Sequence, residues 1–330
     1  MDMFESMKVD CPAFFDLQVN GFAGVDFNRP GLQPDQLDKA AEAQRATGVT
    51  RFLPTLITSS FEDFAACARV LARWRHPAAP GIHIEGPYIS PTAARGAHPA
   101  GHIVPASIED FERRQQAADG RILLVTLAPE VPGALALTEH LVRHGIRVAI
   151  GHSNASPAEV RDAVAAGATL STHLGNGCVP DLPRHPNLVW EQLAADALHA
   201  CFIADGHHLP AATLKSMVRA KTPLRTILVT DATAGAAAPA GRYTLGELEI
   251  ERDADERVTL PGGSKLAGSA LTLDRAVAIA VRQTGLPLEE VLPMVSTRPA
   301  ASLGLAPAGR VEADWHPQAG TFDVTRVDGA

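Results

Sequence analysis

The stretch "AFFDLQVNG", residues 13–21, opens apolar and then alternates. Read as a strand, it sends Asp16, Gln18 and Asn20 to one face and Leu17 and Val19 to the other. A carboxylate and two amides on one buried face are costly unless each has a partner, so the strand must border other polar groups. Seven more short apolar runs follow: "RFLPTLIT" (51–58), "GIHIEGPYI" (81–89), "RILLVTLAPE" (121–130), "IRVAIGHS" (146–153), "ATLSTHLG" (168–175), "HACFIADG" (199–206) and "TILVTDAT" (226–233). Stretches with helical periodicity lie between them. "SFEDFAACARVLARW" offers Ser60 as N-cap with Asp63 three residues on, and "SPAEVRDAVAAG" begins with Ser156 and Pro157 and stops at Gly167. Strands alternating with helices imply βα units and a parallel sheet. Eight units between residues 13 and 233 predict an α/β fold, a (β/α)8 TIM-type barrel. A doubly wound open sheet is the alternative, weakened because no GxGxxG follows the first strand.

The 330-residue chain is 46% hydrophobic, ample for a large core. Net charge is −8, and Lys and Arg are scattered rather than clustered, which argues against nucleic-acid or anionic-membrane partners. No apolar window is long enough to span a membrane, and "MDMFESMKVD" is acidic and unlike a secretory signal. Cys11, Cys67, Cys178 and Cys201 are far apart and form no CxxC, as expected of reduced thiols in a cytoplasmic protein.

Catalytic groups in such barrels sit at the C-terminal ends of the strands. Those ends carry Asp16, Gln18 and Asn20 on strand one, His83 and Glu85 on three, His152 on five and His173 on six. Strand seven ends in Asp205, His207 and His208, and strand eight in Asp231. One carboxylate and two imidazoles from separate strands, Glu85, His152 and His173, suit a catalytic divalent metal with an open position. Any one histidine of the 13 could be structural; the three together at matching ends favour metal. Asp231 reads as a helix N-cap or as a general base beside the metal. His83 reads as a packing or supporting residue. His207 and His208 are adjacent and cannot both face the site from one strand. Arg184, in "PDLPRHPN", reads as a solvated side chain or as a clamp for a substrate anion.

"HIEGPYIS", "GHSNAS", "STHLGN", "IADGHH", "LVTDATA" and "LAGSALTLDRAV" resemble, in order, the motifs of the N-acetylglucosamine-6-phosphate deacetylases of the amidohydrolase superfamily, from about residue 13 to 305. The resemblance implies that Glu85, His152 and His173 bind the main metal, Asp231 is the catalytic acid/base and His98 contacts the substrate amide. It implies that Asn176 and Gly177 hold the sugar, and that Arg184 and His208 hold the 6-phosphate. Many amidohydrolases carry His-x-His on strand one for a second metal. Here those places hold Gln18 and Asn20, as in family members that use one ion, so both amides are expected to line a mononuclear site. The expected cofactor is one divalent ion, zinc first, with Fe2+ or another divalent metal as the alternative. The expected reaction converts N-acetylglucosamine 6-phosphate to glucosamine 6-phosphate and acetate. The family leaves room for a homodimer.

The family's small β-sandwich, made from both chain ends, is expected to be largely absent: residues 1–12 form a lead-in, 13–305 the barrel, and 306–330 a tail that can supply one or two strands. The family's usual "FNAM" or "YNAM" is replaced by "GNGC" (175–178), so the pocket wall is smaller. Two other functions fit less of the sequence. One is an amidohydrolase acting on another N-acyl sugar or an N-acyl amino acid. The other is a non-catalytic sugar-phosphate-binding barrel, disfavoured by the complete Glu-His-His-Asp set.

Overall fold

The structure, a computed structural model, describes residues 6–329. Strand one (Phe14–Val19), two (Val49–Ile57), three (Ile82–Glu85), four (Ile122–Leu127), five (Arg147–Ile150), six (Leu170–Ser171), seven (His199–Ile203) and eight (Thr226–Val229) pair in parallel in chain order. All eight apolar runs therefore become barrel strands. The ring closes between its first and last members by a single parallel bridge, Val19 to Ala232, with the Asn20 and Gly21 N–H groups donating to Ala232 O at 2.7 and 3.2 Å. Strands one, three and eight are buried along their whole length, as parallel strands must be when side chains fill the inside and helices cover the outside.

The helices start where local chemistry directs. Ser60 Oγ accepts the Asp63 N–H at 3.1 Å to begin helix Phe61–Arg73. In helix Pro157–Ala165, Ser156 and Glu159 cap one another's backbone N–H at 3.3 and 2.7 Å, with Pro157 in the first turn. Among the described residues, no helix is long and apolar enough to cross a membrane, and all four cysteines are free thiols.

Two features lie outside the eight βα units. Lead-in and tail are one unit: Met7–Pro12 pairs antiparallel with Arg310–His316, which pairs with Thr321–Asp328. This three-stranded sheet buries Val311, Trp315 and Phe322, and Phe322 lies 5.9 Å ring to ring from Phe14 at the start of strand one. The second follows strand eight. No helix comes at once; the chain instead forms an antiparallel sheet (Gly241–Leu245, Leu248–Arg252, Val258–Thr259) before helix Leu273–Thr284. "GRYTLGELEIER" carried the hairpin signal, alternation around a glycine turn, with Gly246 at φ 62°.

Asp26, just after strand one, ties this hairpin to the barrel by accepting from Thr244 Oγ1 at 2.8 Å and Gly246 N at 2.9 Å. Burial pushes the Asp26 carboxyl up to about 6 despite these donors.

The terminal sheet should contribute to barrel stability through its aromatic contact. Phe322→Ala is expected to lower stability by about 3–5 kcal/mol, read as a lower denaturant midpoint with metal content unchanged. An unchanged midpoint would mean that the sheet is not packed on the barrel.

Candidate metal centre and active site

Glu85 is the last residue of strand three; His152 and His173 each lie two residues past strands five and six. They meet at one point. Glu85 Oε1 is 3.2 Å from His152 Nε2 and 3.0 Å from His173 Nε2, and the two Nε2 atoms are 3.1 Å apart. His152 Nδ1 donates to Ala94 O at 3.0 Å. A carbonyl can only accept, so the Nε2 lone pair points inward, as a metal ligand requires. Burial pushes Glu85 up, but the charge and hydrogen bonds of His152 and His173 outweigh it and hold its carboxyl well below the usual range. Burial pushes His173 down, yet its hydrogen bond and charge interaction with Glu85 raise it on balance. Converging imidazole and carboxylate donors that otherwise share a proton fit a divalent cation.

The backbone is bent to achieve this. His152, His173 and Asp231 have φ of 48°, 27° and 51°, in the left-handed region that costs non-glycine residues on the order of 1–3 kcal/mol each. Such positions cluster where function needs a side chain re-aimed. Gly177 lies against both rings: a Cβ there would stand 2.9 Å from His173 Cε1 and 3.0 Å from His152 Nδ1.

Gln18 and Asn20 face Asp231. Gln18 Nε2 donates to Glu85 Oε1 at 2.9 Å and to Asp231 Oδ1 at 3.1 Å; Asn20 Nδ2 donates to the same Asp231 oxygen at 2.7 Å. Burial and the Glu85 charge push Asp231 up to about 6, opposed by His173, His208 and the Asn20 hydrogen bond. A carboxyl that titrates so near neutrality can both take and return a proton.

His98 also lies close, its Nε2 3.7 Å from Glu85 Oε2, and Glu85, His98 and His152 could together surround a cation. Its second ring nitrogen separates the roles. The Thr58 N–H donates to His98 Nδ1 at 3.4 Å, and the Thr58 hydroxyl is 2.9 Å from the same atom. Nδ1 is the acceptor, so the proton of the neutral ring sits on Nε2. Burial and the neighbouring His152 push His98 down to about 3, which keeps it neutral. It is therefore built as an N–H donor facing the site, whereas His152 offers a lone pair. His83 lies buried beside the site, held by Leu17 O at 3.1 Å and Thr126 Oγ1 at 2.8 Å, and burial pushes it down to about 4. Its ring nitrogens are both taken by these partners.

Above the cluster opens a cleft of about 620 Å³, including its mouth, within the range of small-molecule sites. Asn176, Gly177 and His208 line it. Asn176 Nδ2 is buried there without an acceptor. His208 Nδ1 is paired with Asp205 Oδ2 at 2.6 Å, leaving Nε2 as the free nitrogen. The neighbouring His207 diverges, its Nε2 bonding Asp255 O at 3.0 Å. Arg184 is not brought to the cleft: it is exposed on the segment between strand six and helix Leu188–Ala194. Two contributors escaped the sequence reading. Thr58 was hidden inside an apolar run. Residues 266–268 form a wall of the cleft, although "LAGS" was recognisable as a motif and only its place was missing.

Residues 11–322 match the amidohydrolase family. The chain is 36% identical to the N-acetylgalactosamine-6-phosphate deacetylase of Escherichia coli O157:H7 over 301 residues, covering 89% of this chain and 78% of that protein. It is 35% identical to the N-acetylglucosamine-6-phosphate deacetylase of Vibrio furnissii, covering 89% of this chain and 73% of the other. The crystal structure of N-acetyl-D-glucosamine-6-phosphate deacetylase from Mycobacterium smegmatis superposes with a TM-score of 0.90 at 30% identity, covering 98% of this chain and 86% of that one. The barrel, the converging donors at its C-terminal end and these likenesses agree: the chain belongs to the metal-dependent amidohydrolase family, among the N-acetylglucosamine-6-phosphate deacetylases.

Proposed function

We propose that the protein hydrolyses the acetamide of N-acetylglucosamine 6-phosphate, giving acetate and glucosamine 6-phosphate. The observation that carries this reading is the separation of roles at one cleft: three converging ligands, an N–H donor and a buried carboxyl held by two amides. Glu85, His152 and His173 would hold one divalent ion, zinc by donor chemistry. When bound, the ion supplies Lewis acidity at the acetamide and its attacking water. Asp231 takes the proton of that water and returns it to the leaving amine. Gln18 and Asn20 keep one Asp231 oxygen engaged and leave the other for this transfer. His98 Nε2–H donates to the carbonyl oxygen as negative charge develops there. Asn176 and Gly177 hold the sugar from the cleft wall, and His208 presents Nε2 to the phosphate. Arg184, exposed on the segment that follows strand six, is the cationic candidate for the phosphate.

Five tests follow from these assignments. After saturation and desalting, the protein should hold about one metal equivalent per chain, the number this ligand set supports. His152→Asn should lose the ion, whereas His98→Asn should keep it while slowing turnover; metal analysis of the pair separates ligand from donor. Asp231→Asn should retain metal and lose roughly 10²–10⁴-fold in kcat, and near-normal turnover would remove Asp231 from the mechanism. Substrate identity is read from acetate release on N-acetylglucosamine with and without the 6-phosphate and on the galactosamine epimer, for which one 36%-identical relative is named. Arg184→Ala should cost about 10-fold or more in kcat/KM on the phosphorylated sugar alone, as expected when a charged hydrogen-bond partner is removed. Equal loss on both sugars would refute the phosphate role.

A further inference from the structure

We infer that Asp16 and Thr230 are positioning residues, and that the hydrogen bond between them holds Asp231 in its working conformation. This rests on the reading of Asp231 as the proton carrier.

Asp16 is fully buried at the seam of strands one and eight, and no ion pair among the described residues includes it. Its Oδ2 accepts from Thr230 Oγ1 at 2.5 Å, and its Oδ1 accepts from the Thr230 and Gln18 N–H groups at 3.3 and 3.2 Å. One carboxylate thus pins the residue that precedes Asp231 and the backbone of the residue whose amide bridges Glu85 and Asp231. The Thr230 hydroxyl also accepts from the Ala232 N–H at 3.1 Å. Asp231 is therefore bracketed by two residues that share one hydroxyl group. Ser269 completes the bracket, donating Oγ–H to Thr230 O at 2.6 Å and N–H to Asp231 O at 2.9 Å.

The seam explains why this bracket is needed. Strands one and eight share only the single bridge described above, and the ladder between strands seven and eight ends at Val229, two residues short of Asp231. Asp231 there adopts φ 51°, a conformation that persists only when its surroundings over-determine it. Burial without a cation pushes Asp16 up to about 7.

A pair of substitutions separates hydrogen bonding from packing. Thr230→Val keeps the volume and removes the hydroxyl; Thr230→Ser keeps the hydroxyl and removes the methyl. The expected result is that the Val variant, folded at the assay temperature and carrying its metal, loses about 10²-fold in kcat, the scale of a misplaced catalytic group, with KM little changed. The Ser variant should retain most of kcat. Normal turnover in the Val variant, equal losses in both variants, greater loss in Ser, or a Val variant that unfolds or sheds its metal would each overturn the inference. Asp231→Asn run in parallel keeps the two readings apart: if it stays active, the role of Asp231 fails, and if it is inactive while the Val variant works normally, only the positioning role fails.

Discussion

Two carboxylates, Glu85 and Asp231, are buried at the mouth of one barrel, and the primary amide of Gln18 lies hydrogen-bonded between them. In a low-dielectric interior two such anions repel strongly, so something must compensate at each. On the Glu85 side the compensation comes from His152 and His173, whose Nε2 atoms both approach one Glu85 oxygen. On the Asp231 side, amide N–H groups from Gln18 and Asn20 act together with the charge of His173 and His208. The asymmetry sets the chemistry. Burial and the Glu85 charge push the Asp231 carboxyl up to about 6, while His173, His208 and the Asn20 amide hold against them. Histidines at these two places would offer lone pairs to a second ion. Amides offer N–H groups to a carboxylate instead.

The barrel makes this asymmetry possible because every participant comes from a different strand end. Parallel strands in register bring residues distant in sequence to one rim, and left-handed bends at His152, His173 and Asp231 turn each side chain inward. The rim is then roofed by pieces that are not barrel strands. The 93–98 segment supplies the carbonyl that orients His152 and carries His98 itself. The excursion after strand eight supplies the wall at 266–268 and is anchored back to the first strand's loop through Asp26.

Much of this was legible in the sequence. Eight short apolar runs punctuated by capping residues specify a parallel barrel, because hydrophobic periodicity and caps are local signals. The polar residues at the ends of those runs were candidates for the rim on the same grounds. The terminal sheet was legible only in part: the tail supplies the two strands it could be expected to, whereas the pairing of Met7–Pro12 with Arg310–His316, across some 300 residues, leaves no local trace beyond alternation.

The sequence by itself determined the fold class and the inventory of chemical groups, because both follow from which residue types recur at which spacing. Tertiary structure alone decided what each group does. His98 and His152 are the same residue type at the same rim, yet one accepts at Nδ1 from the Thr58 N–H and the other donates at Nδ1 to Ala94 O. That difference places a proton on one inward-facing nitrogen and a lone pair on the other. Arg184, equally legible as an anion clamp, stands outside the cleft because the segment that carries it faces solvent. A side chain's role depends on the partner at its far atom, and that partner is chosen by the fold in three dimensions, not by its neighbours in the chain.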